Sequence, residues 1–315
     1  MAKSILAVTM NPSVDISYPL ERLQLNSVNR VTEVTKTAGG KGLNVARVLH
    51  QLNSPVVASG VLGGTIGQFI QKKLDETNIK HNFMPIDQES RNCIAILHDD
   101  MQQTELLETG PLLTDKDEAN YLKHFKNSLD GISVVTISGS LPKGLSMELY
   151  AKMIEIASIK EIPVLLDSSG EPLKVSLSRK HKPFLIKPNQ EEIAQLIAKP
   201  INDFVELQEV LATNPLFEGV EWVVISLGAD GALVKHNTEF FRLTIPKIDV
   251  VNPVGSGDST VAGLASAIAT GADNVEVMKT GMTTGMLNTM EKKTGFINND
   301  LFNEYYKKVT LKKLN

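Results

Sequence analysis

The chain predicts an α/β fold with a mostly parallel sheet covered by helices on both faces. Three observations point to it. Short, solidly apolar segments at residues 134–138, 164–167 and 222–226 lack the polar alternation of a half-exposed strand. Stretches of helical spacing alternate with them through the second half of the chain. The conspicuous polar residues, Asn11, Gly139, Asp167, Lys187, Asn189, Ser226, Gly228 and Asp258, each follow a strand. Ligands bind outside the carboxyl ends of the strands in such sheets, so this shared placement predicts one composite site.

Residues 4–10 read as a core strand that Asn11-Pro12 ends. VDISYPL, around Asp15, alternates like a half-exposed strand, and residues 28–37 alternate again, rich in Val and Thr. A helix follows residues 38–44 and stops at Asn53, a residue that tolerates the left-handed conformation. Residues 56–61 form a strand and 67–76 a helix. Residues 82–85, 91–98 and 103–108 read as short strands. Together these predict a small separate sheet from segments at about 13–19, 28–37 and 82–108, with Arg91 heading its middle strand. Helices are expected at 115–129, from a Ser146 cap to 159, and at 172–178, 191–198 and 207–212, with strands at 184–186 and 233–235.

Composition narrows the function classes. The 315 residues are read as one domain, and 42% hydrophobic content can build a large core. A net charge of -4 gives no electrostatic reason to expect nucleic acid or an acidic membrane as partner. Cys93 is the sole cysteine, which excludes an intrachain disulfide and suits a reducing, cytoplasmic setting. No apolar run approaches the ~20 residues needed to span a bilayer. The opening MAKSILAVTMNPSVD reads as a buried strand rather than a signal peptide.

Two glycine-rich helix entries carry the chemistry. Gly255-Ser256-Gly257-Asp258 leads into an apolar helical run. The free N–H groups and the dipole of that helix end favour an anion. A carboxylate there would repel a phosphate unless Asp258 takes a proton from an attacking hydroxyl; the alternative is a Gly turn with Asp as a cap. Gly39-Gly40-Lys41-Gly42 combines close backbone approach with a movable charge, suited to a phosphate or a polyhydroxy ligand, and lacks the Ser or Thr of a P-loop. In Lys187-Pro188-Asn189-x-x-Glu192, Asn189 and Glu192 suit a capping box, or Glu192 holds Mg²⁺ through water beside a nucleotide. Ser226, Gly228 and Gly231 belong to a hairpin connection or to a loop lining phosphate or ribose. The histidines lack metal spacing.

Asn252-Pro253-Val254-Gly255-Ser256-Gly257-Asp258 with Ala262-Gly263, Gly39-Gly40-Lys41-Gly42-x-Asn44, and the Lys187–Glu192 block resemble, in order, the signatures of the PfkB (ribokinase-like) carbohydrate kinases. Asn53 departs from the usual Gly or Ser. Residues 9–15 and 37–45 are similar to the phosphosugar branch of the family, and residues 89–97 and 251–263 are most similar to the kinases of tagatose 6-phosphate, with the fructose 1-phosphate kinases close relatives. The resemblance implies a ribokinase-like three-layer sandwich with a small β-sheet lid that excludes water. It implies ATP and Mg²⁺ as cofactors and tagatose 6-phosphate, phosphorylated at C1, as substrate. Asp258 would be the base and Gly255, Ser256 and Gly257 an anion hole. Asp15, Gly39, Gly40, Asn44, Ser138 and Gly139 would hold the sugar, and Lys41 and Arg91 the phosphate already on it. Lys187, Asn189, Ser226, Gly228 and Gly231 would face ATP, Glu192 the Mg²⁺, and Asn288 the adenine unless it is only a helix-face residue. Relatives often pair their lids, which implies a homodimer, with no nucleic acid or membrane partner.

Overall fold

In the computed structural model, which describes residues 3–99 and 102–314, the apolar runs become strands of two sheets. In chain order the strands are β1 (Ser4–Thr9), β2 (Ser13–Pro19), β3 (Thr35–Gly39), β4 (Val56–Gly63), β5 (Lys80–Ile86), β6 (Arg91–His98), β7 (Gln102–Leu107), β8 (Ile132–Ser138), β9 (Val164–Asp167), β10 (Leu185–Ile186), β11 (Trp222–Ser226), β12 (Ala232–His236), β13 (Glu239–Thr244) and β14 (Thr310–Leu314). The helices are α1 (Lys41–Gln51), α2 (Gly64–Glu76), α3 (Asp115–Asn127), α4 (Leu149–Ile159), α5 (Gly170–Ser178), α6 (Gln190–Ile197), α7 (Phe204–Thr213), α8 (Ser256–Thr270), α9 (Asn274–Thr289) and α10 (Phe302–Lys308).

The large sheet runs β14-β13-β12-β11-β10-β9-β8-β1-β4-β5. Pairing is parallel from β5 to β11 and antiparallel from β11 to β14. Alternate residues of one strand supply two separate cores. Ile5 and Ala7 of β1 pack with α1, α2, α8 and α9, whereas Leu6 and Val8 pack with α3 to α7. Trp222 and Val224 against Val223 and Ile225 repeat that division in β11. A strand buried on both faces has no use for polar alternation, which is why these segments read as solid apolar runs. The result is the expected ribokinase-like three-layer α/β sandwich with a small second sheet.

The small sheet differs from expectation in its members. It runs β3-β2-β6-β7, with β2 and β6 parallel and the other pairs antiparallel. Residues 82–86 are absent from it. They form β5, parallel to β4 at the edge of the large sheet, with Phe83, Met84 and Ile86 buried. Residues 28–34 are not strand either; β3 starts at Thr35 after an exposed connection. The strands β13 and β14 extend the large sheet beyond the expected elements. Ser146 takes a hydrogen bond from the Glu148 N–H, just ahead of α4.

Four chain crossings join the sheets, near residues 10–13, 39–40, 87–90 and 108–114. Side chains fasten them. Arg91 donates from Nε to the Asn11 carbonyl at 3.2 Å and from Nη1 to that of Glu108 at 2.9 Å. Asn11 Nδ2 donates to the Thr109 carbonyl at 3.1 Å. The cleft between the sheets is thereby held at the carboxyl ends of the parallel strands.

Candidate active site

The α8 entry forms the floor of that cleft. Gly255 sits in the left-handed region at φ +84°, and a Cβ there would lie 2.6 Å from Thr294 Cγ2. Glycine is thus required twice, for conformation and for space. Asp258 follows in the first turn, buried, with Oδ2 accepting from Asn44 Nδ2 at 2.8 Å. Burial pushes its carboxyl up to about 7; the nearby Asp167 adds to the rise, and Asn44, Lys41 and Lys187 oppose it.

Asp167 ends β9 and is the hub of the floor. Lys41 Nζ and Lys187 Nζ each lie 3.6 Å from its carboxylate. The Asp167 charge, with smaller help from Asp258 and Glu192, holds the Lys41 ammonium above its ordinary value against the opposing effect of burial. Lys187 is buried, and its Nζ would lie 3.1 Å from a Cβ on Gly257. A side chain at 257 would crowd this lysine where it approaches the helix N-terminus.

Asp15 faces the cleft from the small sheet. Burial raises its pKa, opposed first by the Ser13 hydroxyl, which donates at 2.6 Å, and then by Arg47 and Arg91. A Cβ on Gly39 would fall 2.0 Å from the Asp15 Cγ, so Gly39 exists to make room for this carboxylate. The cavity measures about 780 Å³. Asp15, Arg91 and Cys93 line its small-sheet side; Lys41, Asn44, Asp167, Lys187, Asn189, Glu192, Ser226 and residues 252–258 line the rest.

The family model of pfkB family carbohydrate kinases matches residues 8–300. The chain belongs to this family. Solved structures agree over nearly its whole length. A Staphylococcus aureus protein provisionally assigned as a phosphofructokinase is 29% identical, with TM-score 0.85 and 99% of each chain covered. Phosphofructokinase-2 from Escherichia coli, in complex with potassium, is 25% identical, with TM-score 0.88, 98% of this chain and 99% of that chain covered. A Thermotoga maritima protein provisionally assigned as a 1-phosphofructokinase is 25% identical, with TM-score 0.88, 99% of this chain and 100% of that chain covered.

The carbohydrate kinase brings most of the expected site residues to one cavity: Asp15, Gly40, Lys41, Asn44, Arg91, Lys187, Asn189, Glu192, Ser226, and Gly255 through Asp258. Others lie off its lining. Ser138 is fully buried beside Asp167 in the β8–β9 pairing. Gly139 turns at φ +101° against the Lys41 side chain. Gly228 opens a short 3-10 turn, and Gly231 packs tightly, with a Cβ position 2.2 Å from the Leu243 carbonyl. Asn288 does not face the cavity. It is buried with both ends of its amide engaged: Oδ1 accepts from Ser259 Oγ at 2.9 Å and Gly295 N at 2.8 Å, and Nδ2 donates to the Val254 carbonyl at 2.9 Å. Its task is to brace the loop that carries Gly255.

Lys41 and Arg91, expected to share one phosphate, fall in different surroundings. Lys41 keeps company with Asp167, Asp258 and Glu192, while Arg91 lies beside Asp15, Cys93 and Glu108. Glu192 makes the capping box: Asn189 Oδ1 accepts from its N–H at 2.8 Å, and its Oε2 accepts from the Asn189 N–H at 2.9 Å. The described residues contain no cluster of three or more His, Cys, Asp or Glu that could hold a metal by themselves. Asp167 was visible in the sequence only as a polar residue after a strand. Arg47, Ser13 and Thr294 join the site without any role expected from the sequence. Arg47 could have been found, since it stands three residues after Asn44 on the same helix face.

Proposed function

We propose that this kinase transfers the γ-phosphoryl group of ATP to D-tagatose 6-phosphate at the C1 hydroxyl, giving D-tagatose 1,6-bisphosphate and ADP. The observation that carries the transfer chemistry is Asp258, a buried carboxyl ionising near 7 beneath the free N–H groups of a helix start. A base with that pKa accepts a proton effectively at neutral pH. At the start of α8 the Ser256 N–H donates to the Pro253 carbonyl at 3.3 Å, so the backbone N–H groups of Gly255 and Gly257 are the ones that would meet the negative charge growing on the transferring group. Lys41 and Lys187, paired with Asp167, add positive charge at that end. Transfer to a hydroxyl rather than to water requires a closed cleft, which the small sheet supplies as a lid.

Arg91 is the residue for the phosphate already on the substrate. Two of its five N–H donors go to backbone carbonyls, so the others remain for a phosphate. Lys187, Asn189 and Ser226 form the nucleotide side, where Asn189 and Ser226 are bridged as neighbours. The donor set suits a Mg²⁺ that keeps its waters and rests on nucleotide phosphates, with Glu192 as the protein carboxylate. Such an ion would offset phosphate charge.

The tagatose assignment rests on sequence similarity in residues 89–97 and 251–263, and residues 9–15 and 37–45 support only the phosphosugar branch. A second reading is phosphorylation of fructose 1-phosphate to fructose 1,6-bisphosphate. It is favoured by the likeness to the Thermotoga maritima structure. An ADP-coupled assay across tagatose 6-phosphate, fructose 6-phosphate, fructose 1-phosphate and free tagatose decides. The highest kcat/KM is expected on tagatose 6-phosphate. Preference for fructose 1-phosphate would establish the second reading, and equal use of free tagatose would sink both.

A further inference from the structure

Arg47 lies on α1 one turn after Asn44 and reaches under the cavity floor. Its Nη1 donates to Asn44 Oδ1 and to the Thr294 carbonyl, each at 3.0 Å. Its Nη2 donates to the Ala38 carbonyl, and the guanidinium stacks over Phe296 at 5.2 Å from the ring centroid. An arginine has donors only. It therefore forces Asn44 to turn its oxygen toward Arg47, which leaves the Asn44 NH₂ to face Asp258. An amide NH₂ also only donates, so Asp258 Oδ2 accepts from it, and the lone pair used there is closed to a proton from the substrate.

We propose that Arg47 is a positioning residue that, through the Asn44 amide, reserves Oδ1 of Asp258 as the oxygen that takes the substrate proton. The inference rests on the reading of Asp258 as the base. The hydroxyl O–H bond breaks and its proton goes to Oδ1. The freed electron pair forms the new O–P bond, and the old O–P bond breaks with its pair leaving on ADP. Without Arg47, the Asn44 amide can rotate and present its oxygen to Asp258, an arrangement that favours a protonated, idle carboxyl. The other charged groups facing Asp258 are Asp167 at the end of β9, Lys41 at the start of α1 and Lys187 after β10. None of them constrains the amide.

The test compares Arg47→Met, Arg47→Lys and Gln51→Leu in pH profiles of kcat on the preferred sugar phosphate. Gln51 fastens the same 294–297 loop, at the Gly295 carbonyl and the Ile297 N–H, without touching Asn44. Arg47→Met should lower kcat by roughly 10- to 100-fold and move the acid limb up by ~0.5–1 pH unit. Arg47→Lys should recover part of both. Gln51→Leu should lower Tm and leave the acid limb in place. Adding Asn44→Ala to Arg47→Met should cost little more in kcat at saturating sugar phosphate, because the two residues act in series on Asp258, and a lost sugar contact of Asn44 is read separately in KM. If Arg47→Met does not fold, Arg47→Lys, with one ammonium in place of a planar fork, supplies the same comparison. An acid limb unmoved in the Arg47 variants, or losses that simply add with Asn44→Ala, overturns the inference. Retained turnover in Asp258→Asn would instead remove the assignment of the base.

Discussion

Asp258 shows how one side chain takes its character from its surroundings. Burial contributes most to its raised pKa, and the Asp167 charge comes next. The proton is held more tightly in the folded state than in the unfolded chain. Its contribution to stability is therefore complete below the ordinary 3.8 and is lost as pH rises to about 7. Asp258→Asn keeps the shape and cannot ionise. We expect it to keep nucleotide and sugar binding while turnover falls by ~10²–10⁴-fold. Its Tm relative to the parent should rise between pH 5 and pH 8. Calorimetric titration and thermal melts check both. A Tm difference flat with pH would show that the carboxylate is not desolvated.

At the scale of elements, the chemistry gathers where strands end and helices begin. The N-terminal turn of α8 offers N–H groups, and that of α6 is closed by the Asn189–Glu192 capping box. Closing the α6 turn does not exclude a second task for Glu192, which lines the cavity and contributes to the raised Lys41 pKa. A glutamine can complete the same box. Glu192→Gln should thus leave Tm unchanged and raise the Mg²⁺ concentration for half-maximal activity. An unchanged Mg²⁺ dependence would leave Glu192 with the cap alone.

At the scale of the molecule, the large sheet separates two cores, and the small sheet spans the mouth of the cleft between its own strands and α8. Its outer strand β7 is exposed along its length, with Leu106 at 55% exposure. An unpaired edge carrying an apolar side chain is suited to meeting a second copy, and we propose pairing of the kinase through this sheet. Leu106→Glu should shift the sedimentation profile toward monomer without lowering Tm. A profile the same as that of the parent would place any contact between copies elsewhere.

How much of this was legible follows from the range of each interaction. The doubly buried strands β1, β8, β9 and β11 announce themselves by apolar runs, because their surroundings on both faces are the same. Gly39, Gly40, Gly255 and Gly257 beside Lys41 and Asp258 are local patterns, so a sequence read alone finds the two helix entries and their chemistry. The alternating segments were harder. Alternation tells that one face is more buried than the other but not which sheet supplies the partner, and β5 joined β4 rather than the small sheet. Asn288 reads as one more residue of a helix until the loop at Val254 and Gly295 closes on it. Arg47 and Asp167 belong to the site only because β9, α1 and the 292–297 loop converge there. The sequence by itself determined the layered sheet and the two glycine-rich helix entries, and it singled out Asp258 as the base proposed above. The tertiary structure alone decided the sheet memberships, the separate surroundings of Lys41 and Arg91, and the buried hydrogen bonds around Asp258, because those contacts join residues up to 247 positions apart.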